Sequence, residues 1–195
     1  MVYLISKFIF FLVSKIFFRM QVHGVENIPK KGAFILASNH ISNLDPVTVG
    51  SACPRRLNYM AKEELFLNPI LSLWMNAVGC FPVKRDSADI SALREAIRRL
   101  KSGGGLFLFP EGTRQEPGVK SAQPQAGIGF LAAKHSVPVV PAFVKGTDQA
   151  MPKGAKFIKP ARVSVFFGKQ IHIGRGVPYQ DASSLIMEKI RRLAS

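Results

Sequence analysis

A chain of 195 residues with 47% hydrophobic content suits one globular domain, which excludes a disordered tail and a sparse disulfide scaffold. Lys and Arg number 27 against 12 Asp and Glu, a formal net charge of +15 that draws anionic partners, either a membrane surface or nucleic acid. The two cysteines, Cys53 and Cys80, form no CxxC pattern and read as small buried residues in a reducing compartment.

The chain opens on MVYLISKFIFFLVSKIFFRM. Its longest apolar run, FIFFLV at residues 8–13, is too short for a span that needs about 20 apolar residues. No small-x-small cleavage site follows, which argues against a signal peptide. On a helical wheel Lys7, Ser14, Lys15 and Arg19 share one side, while Ile5, Ile9, Leu12, Val13 and Ile16 occupy the other. That pattern predicts an amphipathic membrane-docking helix over residues 1–21, its apolar body in the acyl boundary and its cations toward phosphates. Such docking is peripheral or monotopic, on the cytoplasmic face of the cell membrane.

Residues 22–195 read as one α/β domain, without repeats, low-complexity tracts or an interdomain linker. Residues 33–38 predict a buried strand, followed by the loop NHISNLDP and a short helix from Pro46. LNYMA reads as a second strand, and residues 63–78 as an apolar helical stretch interrupted by Pro69. CFPV is strand-like. Residues 87–102 predict an amphipathic helix with Ile90, Leu93, Ile97 and Leu100 on the buried face and Arg94, Arg98 and Arg99 opposite. LFLF leads a strand to Pro110, residues 127–135 a helix, PVVPAFV a strand, RVSVFFGKQIHI a strand or hairpin arm, and residues 181–193 a closing helix. This alternation predicts a largely parallel central sheet flanked by helices. In such sheets sites collect beyond the carboxyl ends of strands, so NHISNLDP and PEGTR are expected to meet at one edge.

His40 and Asp45 stand five residues apart, a spacing that puts them on different sides of a helix. The residue before a proline avoids the helical region, and proline favours the first helical position. Asp45 is therefore expected to cap a helix that starts at Pro46. The loop can then fold back so that the carboxylate meets one imidazole nitrogen and leaves the other free. An imidazole so oriented is a general base near neutral pH. From these residues alone a capped loop with a solvated histidine stays equally open. Neither Ser38 nor Ser42 lies in a nucleophile elbow, which points to direct activation of a substrate hydroxyl. His23, His135 and His172 are scattered singly, so no metal site is expected. FPEGTR, residues 109–114, offers a tight turn at Gly112 and the guanidinium of Arg114, a natural fork for phosphate. GCFPVKR ends a second strand with Arg85.

VHGVENIPKKGAFILASNHISNLDP, MAKEELF, GCFPVKR, FPEGTR and VPVVPAFVKGT follow one another from Val22 onward. In this order they resemble the glycerophospholipid acyltransferase family, most closely the bacterial 1-acylglycerol-3-phosphate acyltransferases. HxxxxD alone is a weak pattern; followed by FPEGTR at this distance it is a strong one. The resemblance implies acyl transfer from acyl-CoA or acyl carrier protein to the free sn-2 hydroxyl of lysophosphatidic acid, with no cofactor. It makes His40 and Asp45 catalytic, and assigns Arg85, Glu111, Gly112, Thr113 and Arg114 to the acceptor and its phosphate. The block around Pro141 would border the acyl donor. Partners would be an anionic phospholipid membrane surface and no nucleic acid, since no recognition helix or stacking platform is evident. Gln115 stands where the family usually has serine. Gln125 and Ala126 stand where many members carry a lysine before the glycine matched by Gly127, and Lys120 is the nearby substitute. These departures leave other acceptors open, such as a lyso-ornithine lipid. A non-catalytic basic membrane-binding protein is the reading from a different class.

Overall fold

The computed structural model describes residues 1–84, 89–115 and 123–194. Helix α1 (Val2–Phe17) precedes a short strand β1 (Gln21–His23) and the buried strand β2 (Phe34–Ser38). Then come α2 (Asp45–Ala52), β3 (Leu57–Lys62), α3 (Pro69–Ala77), β4 (Cys80–Val83), α4 (Ile90–Lys101) and β5 (Gly105–Leu108). The chain closes with α5 (Ala126–His135), β6 (Val139–Lys145), α6 (Thr147–Ala150), β7 (Ser164–Phe167) and α7 (Tyr179–Arg191). The strands form one sheet in the order β1-β7-β6-β2-β5-β3-β4. Every pairing is parallel except β6 with β7. The expected α/β architecture is the observed one.

Period-two alternation splits each central strand between two cores. Ile35, Ala37, Leu106 and Leu108 pack with α4, α5 and α7 on one face. Phe34, Leu36, Phe107 and Val140 pack with α2 and the end of α1 on the other. From β2 the chain crosses to β3 on one side, and from β5 it crosses through α5 to β6 on the other side. Connections thus leave the neighbouring strands β2 and β5 in opposite directions. The crevice beyond their carboxyl ends is a topological switch point. Both quoted loops start there.

Several local expectations change. Pro69 does not interrupt a helix but begins α3, because Asn68 accepts the Leu71 N–H and caps it. In α4 the buried line is Ala92, Ala96 and Leu100, while Ile90 is 62% exposed at the first helical position. Arg99 does not belong to the solvated face. Its guanidinium donates to Asn58 Oδ1 at 2.8 Å and to the Gly79 carbonyl at 2.7 Å, stacks over Phe81, and ties α4 to the β3–β4 edge. Strand β1 carries no sequence signal; it forms because β7 supplies a parallel partner for its three residues.

Both thiols are buried as expected. Burial pushes Cys53 and Cys80 each up to about 11. At pH 8 iodoacetamide is expected to spare both in the folded chain and to alkylate both after denaturation; alkylation of the folded chain at the rate of a free thiol would contradict the packing. Because the folded values stand above the unfolded value of 9.0, this share of stability is whole below that pH and is lost as pH rises through about 11.

Candidate active site

His40 leaves the end of β2 and is held from three sides. Its backbone N–H donates to Glu111 Oε2 at 2.9 Å, and its carbonyl accepts the Gln115 N–H at 2.7 Å. These bonds join the two loops expected to meet. Its ring lies flat on Phe109, with centroids 3.9 Å apart and planes 14° from parallel. Nδ1 stands 2.9 Å from Asp45 Oδ2. The open alternative of a solvated histidine does not survive: His40 is buried, and Asp45 is fully so.

Asp45 differs from its expected role as a cap. It is the first residue of α2, Leu44 stands at the cap position, and no side chain caps the helix. The carboxylate faces back into its own loop instead. Oδ2 accepts the N–H groups of Ile41 at 2.7 Å and Ser42 at 2.8 Å, and Oδ1 accepts the Thr147 hydroxyl at 2.5 Å. A carboxylate so surrounded only accepts, so the imidazole presents its Nδ1 proton to it and keeps the Nε2 lone pair. Thr147, the first residue of α6, carries no local signal as a site residue: the hydroxyl reaches Asp45 across 102 positions of sequence. Asn39 supports the same corner, where its amide bonds both the N–H and the carbonyl of Val144.

Beside His40 opens a cavity of about 510 Å³. Apolar groups from α1, α3 and β3 line it, Phe10, Tyr59, Trp74 and Met75 among them. Arg114, Lys62 and Lys7 line it too, so a base and three cations share one space. Lys62, at the end of β3, has no distinctive spacing in the sequence that marks it as a site residue. Gly112 makes the turn that brings Arg114 round: its φ is +69°, and a Cβ there would lie 2.3 Å from the Gln125 amide. The Glu111 carboxylate accepts the His40 backbone N–H through Oε2. Thr113 accepts through its carbonyl from the Gln115 side chain within the same turn. Pro141 is buried inside β6, opposite Ala37, and lines neither this cavity nor the second apolar one beyond Phe109. Arg85 and Lys120 lie outside the described residues. Among the described residues no group of three His, Cys, Asp or Glu could hold a metal ion.

A profile of the acyltransferase family, described simply as Acyltransferase, matches residues 19–145, which hold both loops and all of the side chains just placed except Thr147 and the α1 residue Phe10. The chain belongs to the acyltransferase family. The chain is 32% identical over 179 residues to the chloroplastic 1-acyl-sn-glycerol-3-phosphate acyltransferase LPAT1 of Arabidopsis thaliana, across 89% of this chain and 50% of that one. It is 29% identical over 154 residues to the 1-acyl-sn-glycerol-3-phosphate acyltransferase of Bacillus subtilis, across 78% and 74%. It also resembles the crystal structure of the 1-acyl-sn-glycerophosphate (LPA) acyltransferase PlsC from Thermotoga maritima, at TM-score 0.78 and 27% identity, covering 100% of this chain and 78% of that one. The chain spans about half the length of several curated relatives it matches.

Helix α1 of this family member departs from the wheel in an instructive way. The side expected to meet phosphates partly faces the protein: Ser14 is buried, and Lys7 is half-buried along the cavity wall, where desolvation lowers its pKa. Leu4, Ile5, Phe8, Ile9, Leu12 and Ile16 are exposed. Among the described residues no helix is long and apolar enough to cross a membrane.

Proposed function

We propose that this chain is a 1-acylglycerol-3-phosphate acyltransferase working at a membrane surface. It moves a fatty acyl group from an acyl thioester to the sn-2 hydroxyl of lysophosphatidic acid and forms phosphatidic acid. One observation carries the reading: the oriented His40 imidazole opens on the same cavity as Arg114 and Lys62. Relatives named for this activity support it.

His40 Nε2 takes the hydroxyl proton while the hydroxyl oxygen attacks the thioester carbonyl carbon. The new C–O bond gives a tetrahedral intermediate, whose collapse breaks the C–S bond, and the imidazolium returns the proton to the leaving thiolate. Asp45 holds the ring and stabilises its charged form. No covalent enzyme intermediate and no cofactor enter; acyl-CoA or acyl carrier protein is a substrate. Arg114 grips the acceptor phosphate with help from Lys62, and Arg85 belongs to the same set by sequence. Glu111, Gly112 and Thr113 shape the loop that presents Arg114. The apolar walls receive an acyl chain, and the exposed side of α1 enters one leaflet on the cytoplasmic face.

The test is a panel of lyso-lipid acceptors with one acyl thioester. Arg114→Ala is expected to raise KM for lysophosphatidate about tenfold to a hundredfold with a smaller change in kcat, since a charge-assisted bond is worth about 1.5–3 kcal/mol. Lys62→Ala is expected to act in the same direction. Preference for a phosphate-free acceptor such as lyso-ornithine lipid, with KM indifferent to Arg114, would reject the lysophosphatidate assignment.

A further inference from the structure

Between α6 and β7 runs the sequence MPKGAKFIKPARV, residues 151–163, without helix or strand. Two of its large apolar side chains are adjacent and open to solvent, Phe157 at 79% and Ile158 at 48% exposure. Lys156 and Lys159 flank them, with Lys153 and Arg162 beyond, and all four are exposed. The loop is nonetheless anchored. The Lys159 N–H donates to the Ala150 carbonyl at 2.8 Å, and the Met151 carbonyl accepts the Ser42 hydroxyl at 2.8 Å. At its other end the Val163 N–H donates to Phe18 at 3.1 Å, and the Gln21 N–H returns to Val163 at 3.0 Å. One end is thus fastened to the His40–Asp45 loop and the other to the end of α1. At its base Arg162 shares a cleft with Arg19 and Lys145.

We propose that this loop is a second contact with an anionic leaflet: Phe157 and Ile158 enter the acyl boundary while Lys156, Lys159 and Arg162 meet lipid phosphates. An aromatic and an aliphatic residue bracketed by lysines match the layering of a bilayer surface, apolar within and anionic at the headgroups. An acidic protein partner would use the cations and leave the apolar pair without a purpose. The proposal extends the membrane reading of α1. A lone helix on a surface can roll about its axis; a second contact fastened to its end prevents that and fixes how the His40 cavity meets the leaflet.

The experiment is sedimentation of the full chain with vesicles of phosphatidylcholine, alone or mixed with phosphatidylglycerol. Lys156→Gln combined with Lys159→Gln is expected to weaken binding to the mixed vesicles about fivefold per cation removed, and to leave phosphatidylcholine binding unchanged. A Phe157→Cys chain labelled with an environment-sensitive fluorophore reports insertion, because both native cysteines are buried. Its emission is expected to shift blue on mixed vesicles. Unaltered binding of the double variant, or unshifted emission, overturns the proposal. So does weaker use of acyl carrier protein with vesicle binding intact, which would assign the loop to the donor. These readouts do not need transfer, so they stand apart from any failure of the activity assignment.

Discussion

Replacing His40 with Ala is expected to lower the rate of thioester consumption with lysophosphatidate by about 10²- to 10⁴-fold, the range attributed to a positioned general base. The variant remains folded. The bonds that tie the two loops together at this position come from the backbone N–H and carbonyl, which the substitution leaves in place. Asp45 Oδ2 keeps its two N–H donors, so no unpaired carboxylate is created. What disappears is a ring stacked on Phe109 and one hydrogen bond, roughly 1–3 kcal/mol of stability. Vesicle binding should match that of the parent chain. An unchanged rate would remove His40 from the reaction, and a loss of both rate and vesicle binding would point to unfolding.

Asp45→Asn separates charge from shape. The amide oxygen can occupy the Oδ2 position and keep the Ile41 and Ser42 N–H groups, while the amide nitrogen turns to Thr147, whose hydroxyl also accepts. The fold is therefore expected to survive with a loss of roughly 1–2 kcal/mol, as charge-assisted bonds become neutral ones. The transfer rate should nevertheless fall by about 10²-fold or more, because no charge is left to stabilise the imidazolium. Asp45→Ala has a different expected signature: four donors, the His40 Nδ1–H among them, lose their acceptor at about 1–3 kcal/mol each, and the melting temperature drops with the rate. The comparison is read from paired melts and initial rates. Equal activity of Asp45→Asn and the parent chain would reduce Asp45 to a structural role.

The carboxyl-end loops were legible in the sequence because their signals are local. A buried strand, then a loop ending in Asp-Pro, and another strand ending in Pro-Glu-Gly-Thr-Arg, name their own elements. That they meet follows from the parallel alternation of strands and helices, since parallel strands point their exits the same way. Asp45 shows the limit. Its place before proline suggested a cap, yet tertiary packing turned it toward Ile41, Ser42 and Thr147. The wheel of α1 found an apolar side and a polar side, but which one faced the protein depended on Trp74, whose indole donates to Ser6 at 3.1 Å and edges Phe10.

Periodicity and turn residues by themselves determined the fold class and marked the two loops that meet at His40, because each depends on neighbours a few positions apart; the family resemblance rested on motif blocks in order along the chain. Only the tertiary structure decided that Thr147 supports the acid, that Lys62 joins Arg114, and that Arg99 is a brace instead of a surface charge. Those contacts join residues from 20 to 102 positions apart, and a contact at such a separation leaves no mark on the local pattern of either partner.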